Sequence, residues 1–210
     1  MSTSRLAIGT LLWLGAVAAV GDGVAESERT LRIPRESAGP DEIAAASAAG
    51  AAMGAAEADR VIGDFRQREP GDGVPCSRKT TAWLTRDDDH LYVRFVCEEQ
   101  PGAVRAHLTR RDEILTDDRV LVCLDTYGDR HRAYVFSCNP VGVQLDGILI
   151  EGQDEDDTFD TVWSSEAHLT PEGYTVRMAI PFRSLRFADT PGRSWGVALG
   201  RAIPRHNEES

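Results

Sequence analysis

Seven carboxylates, Asp146, Glu151, Asp154, Glu155, Asp156, Asp157 and Asp160, fall within fifteen residues that contain no base. Like charges crowded within a Debye length of one another repel unless water or a hard cation screens them. Oxygen-rich loops of this kind suit Ca²⁺, and Asp154, Asp156, Asp157 and Asp160 are the candidate metal ligands. The alternation of Asp154, Asp156 and Asp160 is only partly that of a helix-loop-helix calcium loop, since the glycine and the closing glutamate are missing. The bland alternative is a solvated acidic loop.

Trp163 follows this run directly, and Tyr127 lies in a turn sequence. A neutral sugar is held by laying its apolar face on an aromatic ring while Asn, Gln, Arg and Asp take the hydroxyls. Both aromatics are therefore candidate platforms, with core packing as the alternative for Trp163. Trp83 and Trp195 lie inside strand-like runs and read as core.

Catalytic spacings are missing. The five histidines, at 90, 107, 131, 168 and 206, show no His-Glu-x-x-His pattern, and there is neither a Gly-x-Ser-x-Gly elbow nor a Walker loop. A carboxylate pair for glycoside hydrolysis needs proximity in space only, so among 34 acids that chemistry stays open as a weaker alternative. No catalytic residue is assigned.

The elements that must position these side chains are strands. Lys79–Leu84 and Leu91–Val96 alternate around the turn residues Arg86–Asp89, and Arg119–Asp125 and Ala133–Cys138 flank Thr126–His131. Further strands are expected at Val143–Ile150, Val162–His168, Gly173–Ile180 and Trp195–Ala202, with one helical turn opened by proline at Pro181–Leu185. Strands at this spacing, joined by Gly, Pro and Asp turns, imply an all-β antiparallel sandwich.

At the N-terminus, Arg5 precedes an uncharged run from Leu6 to Val20, and small residues bracket Val24. This is the pattern of a secretory signal over residues 1–25, and it implies export. The run is shorter than the roughly 18–20 residues that span a bilayer. Residues 26–59 form a linker or, over Asp41–Ala58, an Ala-rich helix with an acidic first turn. Export permits disulfides, and Cys76, Cys97, Cys123 and Cys138 allow three pairings. No cysteine spacing suggests zinc. The net charge of −11 argues against nucleic acid and anionic lipid as partners.

Several runs carry a resemblance: Gln67–Pro70, Asp88–Val93, Leu108–Asp112, Asp117–Arg119 with Leu124–Tyr127, Tyr134–Pro140, Gly142–Asp146 and Trp163, then Ile180–Phe187 and Trp195–Val197. Over roughly residues 60–205 the chain resembles the family 9 carbohydrate-binding-module-like domain, in the version found at the N-terminus of exported bacterial proteins with a C-terminal β-barrel. The resemblance implies a β-sandwich, a saccharide ligand, Ca²⁺ in sugar-binding members, and a β-barrel membrane domain or partner. It implies ligand-contacting roles for Trp163 and Asp125, with Arg110, Arg111, Asp118 and Gln144 as further pattern positions.

Departures from the family pattern shape the expectation. Sugar-binding members place a Trp before the strand matching Val120–Asp125, a Glu within it and an Arg in the next; the positions here are Leu115, Leu121 and Phe136 or Ser137. The Trp-bearing segment that opens other members is replaced by Ala-rich sequence, and residues 206–210 read as a polar tail at a truncation point. The expected function is an exported, non-catalytic saccharide-binding module, in the periplasm, at the outer membrane or extracellular. The alternative is an interaction domain of a β-barrel protein with a degenerate sugar site.

Overall fold

Nine strands form among the described residues. In the computed structural model, which describes residues 61–153, 156, 158–187 and 194–210, they are β1 (Thr80–Arg86), β2 (His90–Glu98), β3 (Arg119–Asp125), β4 (Arg132–Cys138), β5 (Gln144–Ile150), β6 (Ser164–Thr170), β7 (Gly173–Pro181), β8 (Gly196–Ile203) and β9 (Glu208–Glu209). One 3₁₀ turn, Phe182–Ser184, follows Pro181, and another, Pro204–His206, joins β8 to β9. The expected signal over residues 1–25 and the expected linker or Ala-rich helix over residues 26–59 lie outside the described residues.

Two antiparallel sheets face each other, one ordered β1-β2-β7-β6 and the other β5-β4-β3-β8-β9. Leu91, Val93, Phe95 and Cys97 of β2 and Tyr174, Val176, Met178 and Ile180 of β7 point inward. Val120, Val122 and Leu124 of β3 and Tyr134, Phe136 and Cys138 of β4 meet them from the other sheet. Each large apolar side chain so buried contributes about 1.5–3 kcal/mol, and this sets which face of each strand turns inward. The all-β sandwich expected from the strand spacing is the fold observed.

Trp83 takes the other phase of β1. Ala82 and Leu84 occupy the inner face, so Trp83 lies on the outer side of the four-stranded sheet with the Arg94 guanidinium 5.5 Å above its ring. Trp195 does pack on the core, with ring centroids 5.8 Å from Phe182 and 5.4 Å from Phe187.

One charged side chain crosses the interior. Arg201 of β8, 1% exposed, donates to the carbonyl of Glu98 at 3.0 Å and the hydroxyl of Thr80 at 3.3 Å, tying the two sheets together. Its charge is met by Glu99, which also accepts from Arg78 and Arg205, and Arg205 in turn pairs with Asp118.

The sequence after His206 is not a free polar tail. Glu209 and Glu208 pair with Ala202 and Ile203 of β8, and Arg201 and Ser210 exchange backbone hydrogen bonds of 2.7 and 2.9 Å. Two glutamates tolerate this place because each has donors: the amide of Ser77 for Glu208, and Arg68 and Arg119 for Glu209. On the far side of β9 the chain returns through Glu69, which bridges Glu209. Ile62 bridges Ala82 at the edge of β1.

Candidate functional site

The residues singled out from sequence do not gather on one surface. Trp163 is 5% exposed, packed edge-on against Phe136 at 5.4 Å within the main core. Its ring faces protein, which leaves no sugar-sized platform on it. Tyr127 is exposed on the β3–β4 turn. Asp125, 1% exposed, accepts the backbone N–H groups of Tyr127, Gly128 and Arg130 at 3.1, 2.7 and 2.9 Å, so its carboxylate shapes that turn. Arg110 is exposed.

Arg111 and Gln144 do come together. Arg111 donates to the Gln144 side-chain oxygen at 2.8 Å, the Thr161 carbonyl at 2.8 Å and the buried carboxylate of Asp146, and lies 3.1 Å from Asp160. Gln144 passes the link on to the Trp163 carbonyl at 3.2 Å and the Ser165 hydroxyl at 3.0 Å. The cluster fastens the segment before β6 onto β5. Burial raises the Asp112 carboxyl, and the neighbouring Asp146 and Asp160 charges add to the rise.

Of the four candidate metal ligands, Asp154 and Asp157 lie outside the described residues. Asp156 accepts from the Thr158 hydroxyl and amide at 2.6 and 3.0 Å, which lowers its pKa, and Asp160 is set against Arg111. Among the described residues no three His, Cys, Asp or Glu side chains converge as a metal site would require. Part of the positive charge this acidic run calls for is thus supplied by a guanidinium. None of the four cysteines, all among the described residues, is in a disulfide; burial pushes the thiols of Cys97 and Cys138 up to about 11 and about 12.

A different surface carries a small cleft. The outward residues of β3, β4 and β5 are also apolar: Cys123 and Val135 are opposed, and Leu121, Ser137 and Leu145 form one cross-strand row. They floor an open cleft of about 50 Å³, flanked by Leu115 and Leu149 and ended by Arg68, Arg119 and Glu209. Gly200 of β8 stands opposite Leu121, where a Cβ would lie 3.0 Å from Leu121 Cγ and 2.9 Å from the Ser210 carbonyl. The missing side chain leaves room for Leu121 on the sheet's outer face. The loop bearing Leu115 is pinned by Asp117, which takes 2.8 and 2.6 Å hydrogen bonds from the His107 amide and ring and one of 2.9 Å from Asn139.

Leu115, Leu121 and Ser137, the positions marked by the family pattern, all line this cleft, whereas Phe136 faces the core. Sequence reasoning did not single out Arg68, Arg119 and Glu209 as a group. The floor left a trace: Val120-Leu-Val-Cys-Leu124 is apolar at both phases, the pattern of a strand covered on both faces.

No family model and no curated protein matches the sequence. Solved structures do match. A candidate carbohydrate-binding protein from Bacteroides uniformis ATCC 8492 superposes with a TM-score of 0.62 at 13% identity, covering 85% of this chain and 86% of that one. A family 9 carbohydrate-binding module from Caldicellulosiruptor kristjanssonii in complex with cellotriose gives 0.51 at 16% identity, over 75% and 73% of the two chains. The same organism's module in complex with glucose gives 0.50 at 16%, over 71% and 70%. At these identities the likeness is one of fold.

Proposed function

We propose that this chain is an exported, non-catalytic saccharide-binding module whose ligand lies on the outer face of the five-stranded sheet, across Leu121, Ser137 and Leu145. The observation that carries the reading is the cleft itself: a largely buried apolar floor beside the exposed Leu115, with charged donors and an acceptor at one end. That combination suits a ligand with an apolar face and polar edges. The fold it shares with modules bound to glucose and cellotriose lends support. Of the candidate metal ligands among the described residues, Asp156 and Asp160, neither lines the cleft.

Isothermal titration of the full chain against cellotriose, xylo-oligosaccharides and glucose tests this. Heat with at least one saccharide, reduced in Ser137→Ala, is expected; no heat with any of them overturns the reading.

A second reading, an interaction domain for a β-barrel partner, is favoured by one observation. Trp163 is in the core, and Leu115, Leu121 and Ser137 stand where the resemblance implies Trp, Glu and Arg. Recovery of a barrel protein by cross-linking, with no saccharide binding, would select it.

A further inference from the structure

We infer that β6 is a self-docking edge, through which two copies of this chain join antiparallel into one continuous sheet about a two-fold axis at Ala167. Each of the other three sheet edges is met by a bridge from its own chain: Ile62 on β1, Asp156 on β5 and Glu69 on β9. Among the described residues β6 has no such cover. Its sequence, Ser164-Ser-Glu-Ala-His-Leu-Thr170, also holds none of the lysines or prolines that keep strand edges from pairing.

The phase of the ladder fixes which groups are open. The Glu99 amide bonds the Glu172 carbonyl, so by alternation Cys97 and Phe95 also turn their main chain to β7, where Tyr174 and Val176 stand opposite. Thr175 and Arg177 then face β6 and meet His168 and Glu166. The N–H and C=O groups of Ser165, Ala167 and Leu169 therefore point away from the sheet, and among the described residues no main-chain group bonds them. Leu169, 58% exposed, sets an apolar side chain beside them.

Side chains choose the partner and the register. Glu166 and His168 are exposed on one face of the edge, with His168 Nε2 3.0 Å from the Glu166 carboxylate. Two copies paired about Ala167 set each Glu166 opposite the other copy's His168, while the outward groups of Ser165, Ala167 and Leu169 meet those of Leu169, Ala167 and Ser165. A two-residue slip keeps the ladder but faces Glu166 with Glu166 in one direction, where like charges repel, and with Thr170 in the other. The strand is thus complementary to itself in one register, and a second copy is the occupant that fits it. The acidic run enters β6 at Ser164, so antiparallel pairing puts the two runs at opposite ends of the seven-residue strands, about 20 Å apart and beyond a Debye length of about 8 Å.

Sedimentation velocity of the full chain over about a hundredfold range of concentration should show the mass rising from one copy toward two. Hydrogen exchange on the unmodified chain, which depends on no variant's folding, should slow at the Ala167 and Leu169 amides over the same range. Ala167→Pro removes an outward N–H that makes no bond to β7 and should hold the chain at one copy. His168→Glu alone should weaken association about tenfold, and adding Glu166→His should restore it, since the swap rebuilds both cross-strand pairs only in this register. A single mass at every concentration overturns the proposal, as does association that leaves both amides unprotected or survives Ala167→Pro. Single and swapped charge variants that associate alike overturn the register at Ala167.

Discussion

Trp163 and Arg111 show how a side chain that looks like a ligand contact can be spent on the fold. Trp163 fills the core against Phe136, and Arg111 secures the segment that delivers it by holding Gln144, Thr161 and Asp146. Trp163→Ala is expected to cost about 3–5 kcal/mol in urea unfolding. If the ring does not touch ligand, the folded fraction of that variant keeps its saccharide affinity, measured by titration below the unfolding transition. Arg111 also tempers the acidic run, since its guanidinium sits between Asp146 and Asp160. Chelation with EDTA is accordingly expected to leave saccharide affinity unchanged; an EDTA-sensitive titration would show that a cation in the loop takes part in binding. Nothing in the spacing of these residues distinguishes a stacking Trp from a core Trp. The deciding fact is the phase of the chain around Phe136, which is set by contacts far apart in sequence.

Strands are where the sequence was most legible. Residues 119–125 of β3 were readable from a β-forming apolar run between turns, and residues 173–180 of β7 from alternation, because burial of one face fixes both the element and its phase. β6 lies two residues further on than the alternation of Val162–His168 suggested, since the segment ahead of it is committed to Trp163 and to the hydrogen bonds of Arg111. β9 was illegible for a different reason. Two glutamates have no strand propensity to speak of, and their pairing depends on Arg68 and Arg119, which are distant in sequence. The cleft shares that origin: its floor was implicit in the two-phase apolar pattern of β3, but its charged end is assembled by β9. Glu209→Ala should therefore lower stability by about 1–2 kcal/mol, read from urea melts, by leaving Arg119 without its carboxylate. The neighbouring Gly200→Ala should be at least as damaging, because the added methyl meets a backbone carbonyl as well as Leu121.

For the molecule as a whole, two sheets are held by apolar packing and by a buried ionic chain from Arg78 through Glu99 to Arg201, Arg205 and Asp118. Burial alone would raise the Glu99 pKa, but the Gln100 amide and the guanidiniums of Arg78, Arg205 and Arg201 outweigh it and hold it low. Asp117 is also held low, its burial outweighed by His107 and Asn139. A carboxyl whose folded pKa is depressed stabilises the fold above its unfolded pKa and ceases to do so as pH falls through the folded value. Thermal melts should therefore show full stability above roughly pH 4.5 and a progressive loss below it. Arg201→Met should cost about 3–5 kcal/mol by leaving Glu99 short of a partner in the interior. The antiparallel bridge between Glu69 and Glu209 has a mechanical consequence as well. The chain runs away from both residues in the same direction, so tension applied across the domain peels this junction open one hydrogen bond at a time instead of shearing it. From the C-terminal side the bonds between Ser210 and Arg201 part first and those of Glu209, whose carboxylate is shared by Arg68 and Arg119, part next. A pull on the ends thus dismantles the polar end of the cleft before it reaches the core, and a tethered ligand would be released at forces too small to unfold the sandwich.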